Sequence, residues 1–271
     1  MDSPYRSVSF DRAADVYDAT RALPPGVAAA LTDALVRELR RAGADCVLEA
    51  GVGTGRISRP LAERGLRVCG LDISRRMIER LRDQLTSRHT PPDLLLGDAA
   101  RLPLADASFP AALSFHVLHL VADWQGAIDE ARRVLRPGGV FIYYLRRDEF
   151  ARWKDSADKW DAMLAERGFE RRRRPSTEEI GDRLRGLGGA CRIEQAATEE
   201  ERTTPREMLE ITRNRVHSWT WEIPDDIWDD CFREYETWAA DHLGPMDEPR
   251  IDTIVHELHV WRFGGQPRAA V

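Results

Sequence analysis

Apolar side chains recur every fourth position at Val27, Leu31, Leu35 and Leu39, which predicts an amphipathic helix over 26–42. Beyond it the pattern shortens to apolar runs bounded by polar or glycine positions. These runs predict strands at 46–50, 67–72, 93–96, 110–115 and 139–145. Helical spacing returns between them: after the first strand to about Arg64, over 74–86 with Ser74 as a cap, and over 124–135. Strands separated by helices specify a parallel sheet with right-handed crossovers. In such a sheet a ligand lies at the carboxyl ends of the strands, beside the point where the strand order reverses.

The first strand runs into Glu49-Ala-Gly-Val-Gly-Thr-Gly-Arg56. Glycines at 51, 53 and 55 let the backbone turn sharply, adopt positive φ and come close to a ligand. A dinucleotide fingerprint counted from Gly51 wants its third glycine at 56, where this chain has Arg, and the Lys of a phosphate-binding P-loop is missing. The loop therefore suits a ligand whose contact region carries no pyrophosphate. Asp72 ends the second strand, 21 residues after Gly51, where a carboxylate can accept from both ribose hydroxyls. Asp98 follows the third strand in Leu96-Gly-Asp-Ala-Ala100, placed to accept from an adenine amine. Either Asp alone also suits a turn or a helix cap; both with the loop, in this order, are more specific.

Length and composition, 271 residues with 42% hydrophobic, fit one α/β domain with additions, or one domain and a small cap. No apolar run approaches eighteen residues, and the opening MDSPYRSVSFDRAADVYD lacks a signal-peptide core, so a cytoplasmic, membrane-free protein is expected. A net charge of -6, with 40 basic and 46 acidic residues spread along the chain, argues against nucleic acid as a partner. Cys46, Cys69, Cys191 and Cys231 form no close pair; three fall in predicted strands, and buried free thiols are expected. The run Arg171 to Arg174 is flanked by Glu166, Glu170, Glu178 and Glu179 and reads as a solvated face. Two segments, 146–174 and 200–250, look like additions. The second carries Trp219, Trp221, Trp228, Phe232, Tyr235 and Trp238, as the core of a helical cap or, with Trp153 and Trp160, the lining of an apolar pocket.

Four motifs in register, VLEAGVGTGR (47–56), GLDIS (70–74), LLGDAARLPLADASFPAALSFHVLHLV (95–121) and ARRVLRPGGVFI (131–142), make the chain resemble a class I S-adenosylmethionine (SAM)-dependent methyltransferase. It is similar to the ubiquinone/menaquinone-biosynthesis C-methyltransferases and their small-molecule relatives. The resemblance implies an α/β, Rossmann-like doubly wound seven-stranded sheet of order 3-2-1-4-5-7-6, strand seven antiparallel, with a helical cap. Arg192 to Ala197 and His256 to Phe263 become strands six and seven. It divides the chain into a lid segment (1–25), a SAM-binding core (26–145), a cap insertion with strand six (146–199), an aromatic helical cap (200–250), and strand seven with a tail (251–271). SAM is the implied cofactor and S-adenosylhomocysteine its product.

The resemblance also implies roles. Glu49, Ala50, Gly51 and Gly53 surround the amino-acid arm; Asp72 holds the ribose; Ile73 and Met77 wall the adenine, whose edge meets Asp98 and Ala99. Phe115 and His116 lie near the methionyl arm, and Tyr17 and Arg21 close the site, Arg21 as a bidentate partner for a carboxylate. Methyl transfer is an in-line displacement that needs alignment and exclusion of water rather than a protein nucleophile. A general base is required only for an acceptor that must lose a proton, and His116 and His119 are the candidates for that or for positioning the acceptor. No metal is expected: His116 and His119 lack a third ligand, and His256 and His259 point to opposite faces of a strand. Ser114-Phe-His-Val117 departs from the Asn/Asp/Ser-Pro-Pro-Tyr/Phe of enzymes that methylate DNA bases or protein glutamine. The expected partner is a small, apolar or aromatic acceptor methylated at oxygen, carbon or nitrogen, enclosed by Trp153, Trp219 and Trp228, in a monomer or homodimer. The alternatives are an NAD-dependent oxidoreductase, opposed by Arg56, Gly97-Asp98-Ala99 and Arg136-Pro-Gly-Gly139, and a non-catalytic SAM-binding sensor or scaffold.

Overall fold

The computed structural model describes residues 6–85, 92–149 and 151–264. Residues 1–5 of the expected lid, Thr86 at the expected helix end and 265–271 of the tail lie outside the described residues. The strands are β1 (Cys46–Ala50), β2 (Arg67–Asp72), β3 (Asp93–Leu96), β4 (Phe109–Phe115), β5 (Leu135–Arg147), β6 (Gly189–Thr203) and β7 (Arg250–Phe263). The helices are α1 (Tyr17–Arg21), α2 (Pro25–Arg41), α3 (Ser58–Glu63), α4 (Arg75–Gln84), α5 (Trp124–Val134), α6 (Lys154–Glu166), α7 (Thr177–Gly186), α8 (Pro205–Arg213) and α9 (Asp225–His242). No helix among the described residues is long and apolar enough to cross a membrane.

The chain separates into two compact units. The first comprises Met1–Leu145, Arg174–Ala197 and His256–Val271, the second Arg146–Arg173 and Thr198–Val255. The seven strands form one sheet of order β3-β2-β1-β4-β5-β7-β6, with β7 antiparallel. β1 lies parallel between β2 and β4, so the order reverses there and a crevice opens at its carboxyl end. Successive side chains point to opposite faces. Val47, Val68, Leu113 and Ile142 pack on one side with Leu31, Leu35 and Leu39 of α2. Leu48, Cys69, Ala112 and Phe141 pack on the other with Ile128 of α5 and Leu184 of α7. Both faces are covered, which is why these strands read as continuous apolar runs.

The start of β5 differs from expectation. The strand begins at Leu135 rather than 139, and its pairing with β4 shifts between Phe109↔Leu135 and Ala111↔Val140. Arg136-Pro-Gly-Gly139 is thus an irregularity inside the strand, with Gly138 at φ +80°. A Cβ on Gly139 would come within 2.9 Å of the Arg136 carbonyl oxygen. The cysteines are a second correction: Cys46 is half-buried and Cys191 exposed, because Cys191 lies on β6, the edge of the sheet.

The second unit is held by an aromatic core. Trp160 of α6 stacks on Trp228 of α9 with ring centroids 5.0 Å apart, and Tyr235 lies 5.0 Å from the same ring. The Tyr235 hydroxyl meets Ser156 Oγ at 2.5 Å, so the phenol is buried with a partner. Thr204 and Glu207 close a capping box on α8, a signal of the form Thr-x-x-Glu. Arg171 is not part of a solvated face: it lies over the Trp219 ring at 4.8 Å and donates to Asp161 at 2.6 Å.

Candidate functional site

The glycine loop follows β1 with three left-handed residues, Gly51 at φ +80°, Gly53 at +55° and Gly55 at +83°. A Cβ on Gly51 would collide with the side chain of Val117, and one on Gly55 with Leu81. At Gly53 no atom lies within 4 Å of the same position. The loop is tied to β2 by Asp72, whose Oδ2 accepts from the Gly53 N–H at 2.8 Å and whose Oδ1 accepts from the Ser74 N–H at 2.8 Å. Each carboxylate oxygen keeps a further lone pair for a ligand hydroxyl. Burial pushes Asp72 above the usual carboxylate range, against the pull of those N–H groups.

Glu49 sits one residue from the end of β1 and is 2% exposed. Its register partners are Gly70 on β2 and Leu113 on β4, neither of which offers a side-chain donor. Oε2 has no hydrogen-bond partner among the described residues. Burial raises the carboxyl to about 8, opposed by Arg56 and Ser58 and reinforced by the charge of Asp72. A buried acid in this state is costly as an anion until something cationic reaches it.

The carboxyl edge beside β2 and β3 is apolar where it is exposed. Ile73 is 39% exposed and Leu96, paired with Asp72, is 48% exposed. Met77 is fully buried beneath the start of α4, where its N–H caps onto Ser74 Oγ at 3.1 Å. Asp98 Oδ1 accepts from the Ala100 N–H at 2.9 Å, and Ala99 is buried against the sheet.

Residues 6–21 lie along this edge. Asp11 accepts from Ser74 Oγ at 2.6 Å, Asp15 from Arg76 at 2.5 Å, and Asp18 from Thr54 Oγ1 at 2.5 Å and Gln84 at 2.8 Å. Arg56 donates to the Arg21 carbonyl, whereas the Arg21 guanidinium donates to Thr20 O at 3.3 Å. Tyr17 packs edge-on against Phe10 at 5.7 Å.

β4 ends in Phe115, and His116 follows at φ +55°, an uncommon conformation for a non-glycine residue. Tyr144 of β5 stacks on Phe115 at 4.7 Å and meets the His116 ring at 4.9 Å; its hydroxyl hydrogen-bonds His256 Nδ1 at 2.6 Å. His119 lies one short turn on, in Leu118–Leu120. His256 and His259 do face opposite sides, contacting Tyr144 and Tyr143 respectively.

The structure thus gathers Glu49, Ala50, Gly51, Gly53, Asp72, Ile73, Asp98, Phe115 and His116 at strand ends of one sheet. Trp153 and Trp228 instead belong to the interior of the second unit, under Arg250 and Arg215, while Trp219 is only partly buried. Sequence reasoning missed Thr54, Arg56, Asp18 and Leu96 as parts of the edge. Only Arg56 carried a local signal, as the first residue after the last glycine. Among the described residues no group of three His, Cys, Asp or Glu could hold a metal. Taken together, the edge fits a ligand with a cationic end near Glu49, hydroxyls near Asp72 and a flat apolar ring beside Ile73 and Leu96.

Residues 48–143 match the methyltransferase domain family. A malonyl-[acyl-carrier protein] O-methyltransferase from Serratia marcescens is 36% identical over 135 residues, covering 50% of each chain. The chain spans about half the length of the curated relatives it matches. The crystal structure of the YcgJ protein from Bacillus subtilis superposes with a TM-score of 0.57 at 16% identity, covering 85% of this chain and 97% of that one. The [4+2]-cyclase SpnF superposes at 0.53 and 19% identity over 98% of this chain and all (100%) of its own. Likenesses of this kind establish the fold alone.

Proposed function

Because this chain carries a class I SAM-dependent methyltransferase domain, we propose that it transfers a methyl group from SAM to a small-molecule acceptor. The observation that carries the reading is that Glu49 and Asp72 both lie at the carboxyl ends of adjacent strands, next to a loop of three left-handed glycines. Those residues fit SAM: Glu49 Oε2 for its ammonium, Asp72 for its ribose, Ile73 and Leu96 for its adenine. Bound SAM supplies an electrophilic methyl group on a sulfonium. The chain's own residues orient it and exclude water, effects worth several powers of ten in rate.

His116 follows the end of β4, so its imidazole is the proposed base for an acceptor that must lose a proton as it is methylated. The Serratia relative is named for an acyl-carrier-protein substrate, but the match covers only half of each chain. For this chain the proposed acceptor is a small apolar or aromatic molecule.

Titration calorimetry with SAM, S-adenosylhomocysteine and NAD tests the reading. Binding of the two adenosyl compounds and not NAD is expected; NAD binding without SAM binding overturns it. SAM binding without transfer to any acceptor in a small-molecule panel would favour the sensor or scaffold instead.

A further inference from the structure

Glu49 is a carboxyl group with nowhere to put its charge. Gly70 and Leu113 flank it in the sheet, Oε2 accepts nothing from the described residues, and the charged groups around it are Arg56 from the glycine loop and Asp72 from β2. Arg56 attracts the anion, Asp72 repels it, and α3 contributes the Ser58 hydroxyl and backbone N–H, yet burial outweighs them. An ionised carboxylate this buried, with an unpartnered oxygen, would cost several kcal/mol, so the group neutralises instead.

We propose that Glu49 holds a proton in the unliganded protein and releases it to solvent when the ammonium of SAM's methionyl arm docks against Oε2, linking cofactor binding to proton release. The inference rests on the SAM-binding reading above and adds to it a charge exchange. One O–H bond breaks, the proton leaves to buffer, and the carboxylate is neutralised by an ion pair. Any ligand that keeps the ammonium triggers the release, whether or not it carries the sulfonium. An uncharged nucleoside thioether does not.

Calorimetry at pH 7 in three buffers of different ionisation enthalpy measures it. With Glu49 at about 8, binding of SAM and of S-adenosylhomocysteine should each release most of a proton. Methylthioadenosine, which lacks the amino-acid arm, should release none. The SAM dissociation constant should fall as pH rises from 6 to 7.5, by up to about tenfold per pH unit, and rise again once the ligand's own ammonium deprotonates. In Glu49→Gln both the release and the pH slope should vanish; should that variant not fold, the wild-type buffer series and pH slope decide alone. SAM binding with less than about 0.2 proton released, unchanged release in Glu49→Gln, or release with SAM but not S-adenosylhomocysteine overturns the proposal. Absence of any SAM binding would overturn the function itself, so the two failures are distinguishable.

Discussion

The two units of this chain are built on different principles. The first has an aliphatic core on both faces of a sheet, and its site is made by backbone: left-handed glycines, strand ends and N–H groups gathered by one carboxylate. The second has a core of stacked indoles and phenols with arginines laid over its rings. Backbone features demand particular residue types at fixed spacing, so they survive as motifs. Side-chain packing tolerates many solutions, so it leaves no motif. The matched family segment falls wholly within the first unit.

The contrast can be broken most directly at Gly51. Gly51→Val places a side chain on Val117 at a φ that β-branched residues avoid, and SAM binding should be lost to calorimetry with a lowered unfolding midpoint. The collision is with the protein itself, where the sequence had suggested only the ligand's path. In the second unit, Trp160→Ala removes the ring that Trp228 and Tyr235 pack on and should cost about 3–5 kcal/mol in denaturant unfolding. A cost under about 1 kcal/mol would mean the aromatic core is not what holds that unit.

Glu49→Gln should act in the opposite sense on stability. The folded value of about 8 exceeds the ordinary 4.5, so the contribution of Glu49 is intact below 4.5 and is lost as pH rises through 8. The unliganded variant should escape that loss and be more stable above pH 8 by about 2 kcal/mol or more, while binding SAM less tightly. A parallel decline of both proteins with pH would remove Glu49 as the cause. Asp72→Ala should weaken SAM by about 1.5–3 kcal/mol, since it removes a charge-assisted acceptor and frees the Gly53 and Ser74 N–H groups. Unchanged affinity would make Asp72 a turn residue only. The smallest test uses matched caps: Ser176→Ala on α7 and Thr204→Ala on α8 each break a capping box and should each cost about 1 kcal/mol in chemical denaturation. A clearly unequal pair would show that the units differ in how firmly they hold their helices.

The first five strands and the loop are legible because their signals are local, namely apolar runs, glycine spacing and acids at strand ends, whereas the strand order comes from the family resemblance. Other parts of the site depend on residues far apart in sequence. Thr54 meets Asp18 across 36 positions and Ser74 meets Asp11 across 63, so neither bond leaves a pattern to read. Leu96 reads as an ordinary strand residue, and its exposure opposite Asp72 follows only from where β3 ends in the sheet. The start of β5 was misplaced because Pro and Gly announce a break, and here they make an irregularity within a continuing strand. The second unit gave its aromatic face but not its ion pairs, which Arg-rich composition makes unreadable one by one.

The three glycines of the loop are not equivalent, and this sets how the motif can drift over generations. Gly51 and Gly55 are walled by Val117 and Leu81, so a replacement at either requires a compensating change elsewhere. Gly53 has open space and a φ of +55°, which asparagine adopts at modest cost. Its N–H to Asp72 would survive that exchange. The fold itself therefore fixes the outer two glycines, whereas under the proposed function the middle one is held by the ligand it faces, so only a chain that gave up the cofactor could lose it freely.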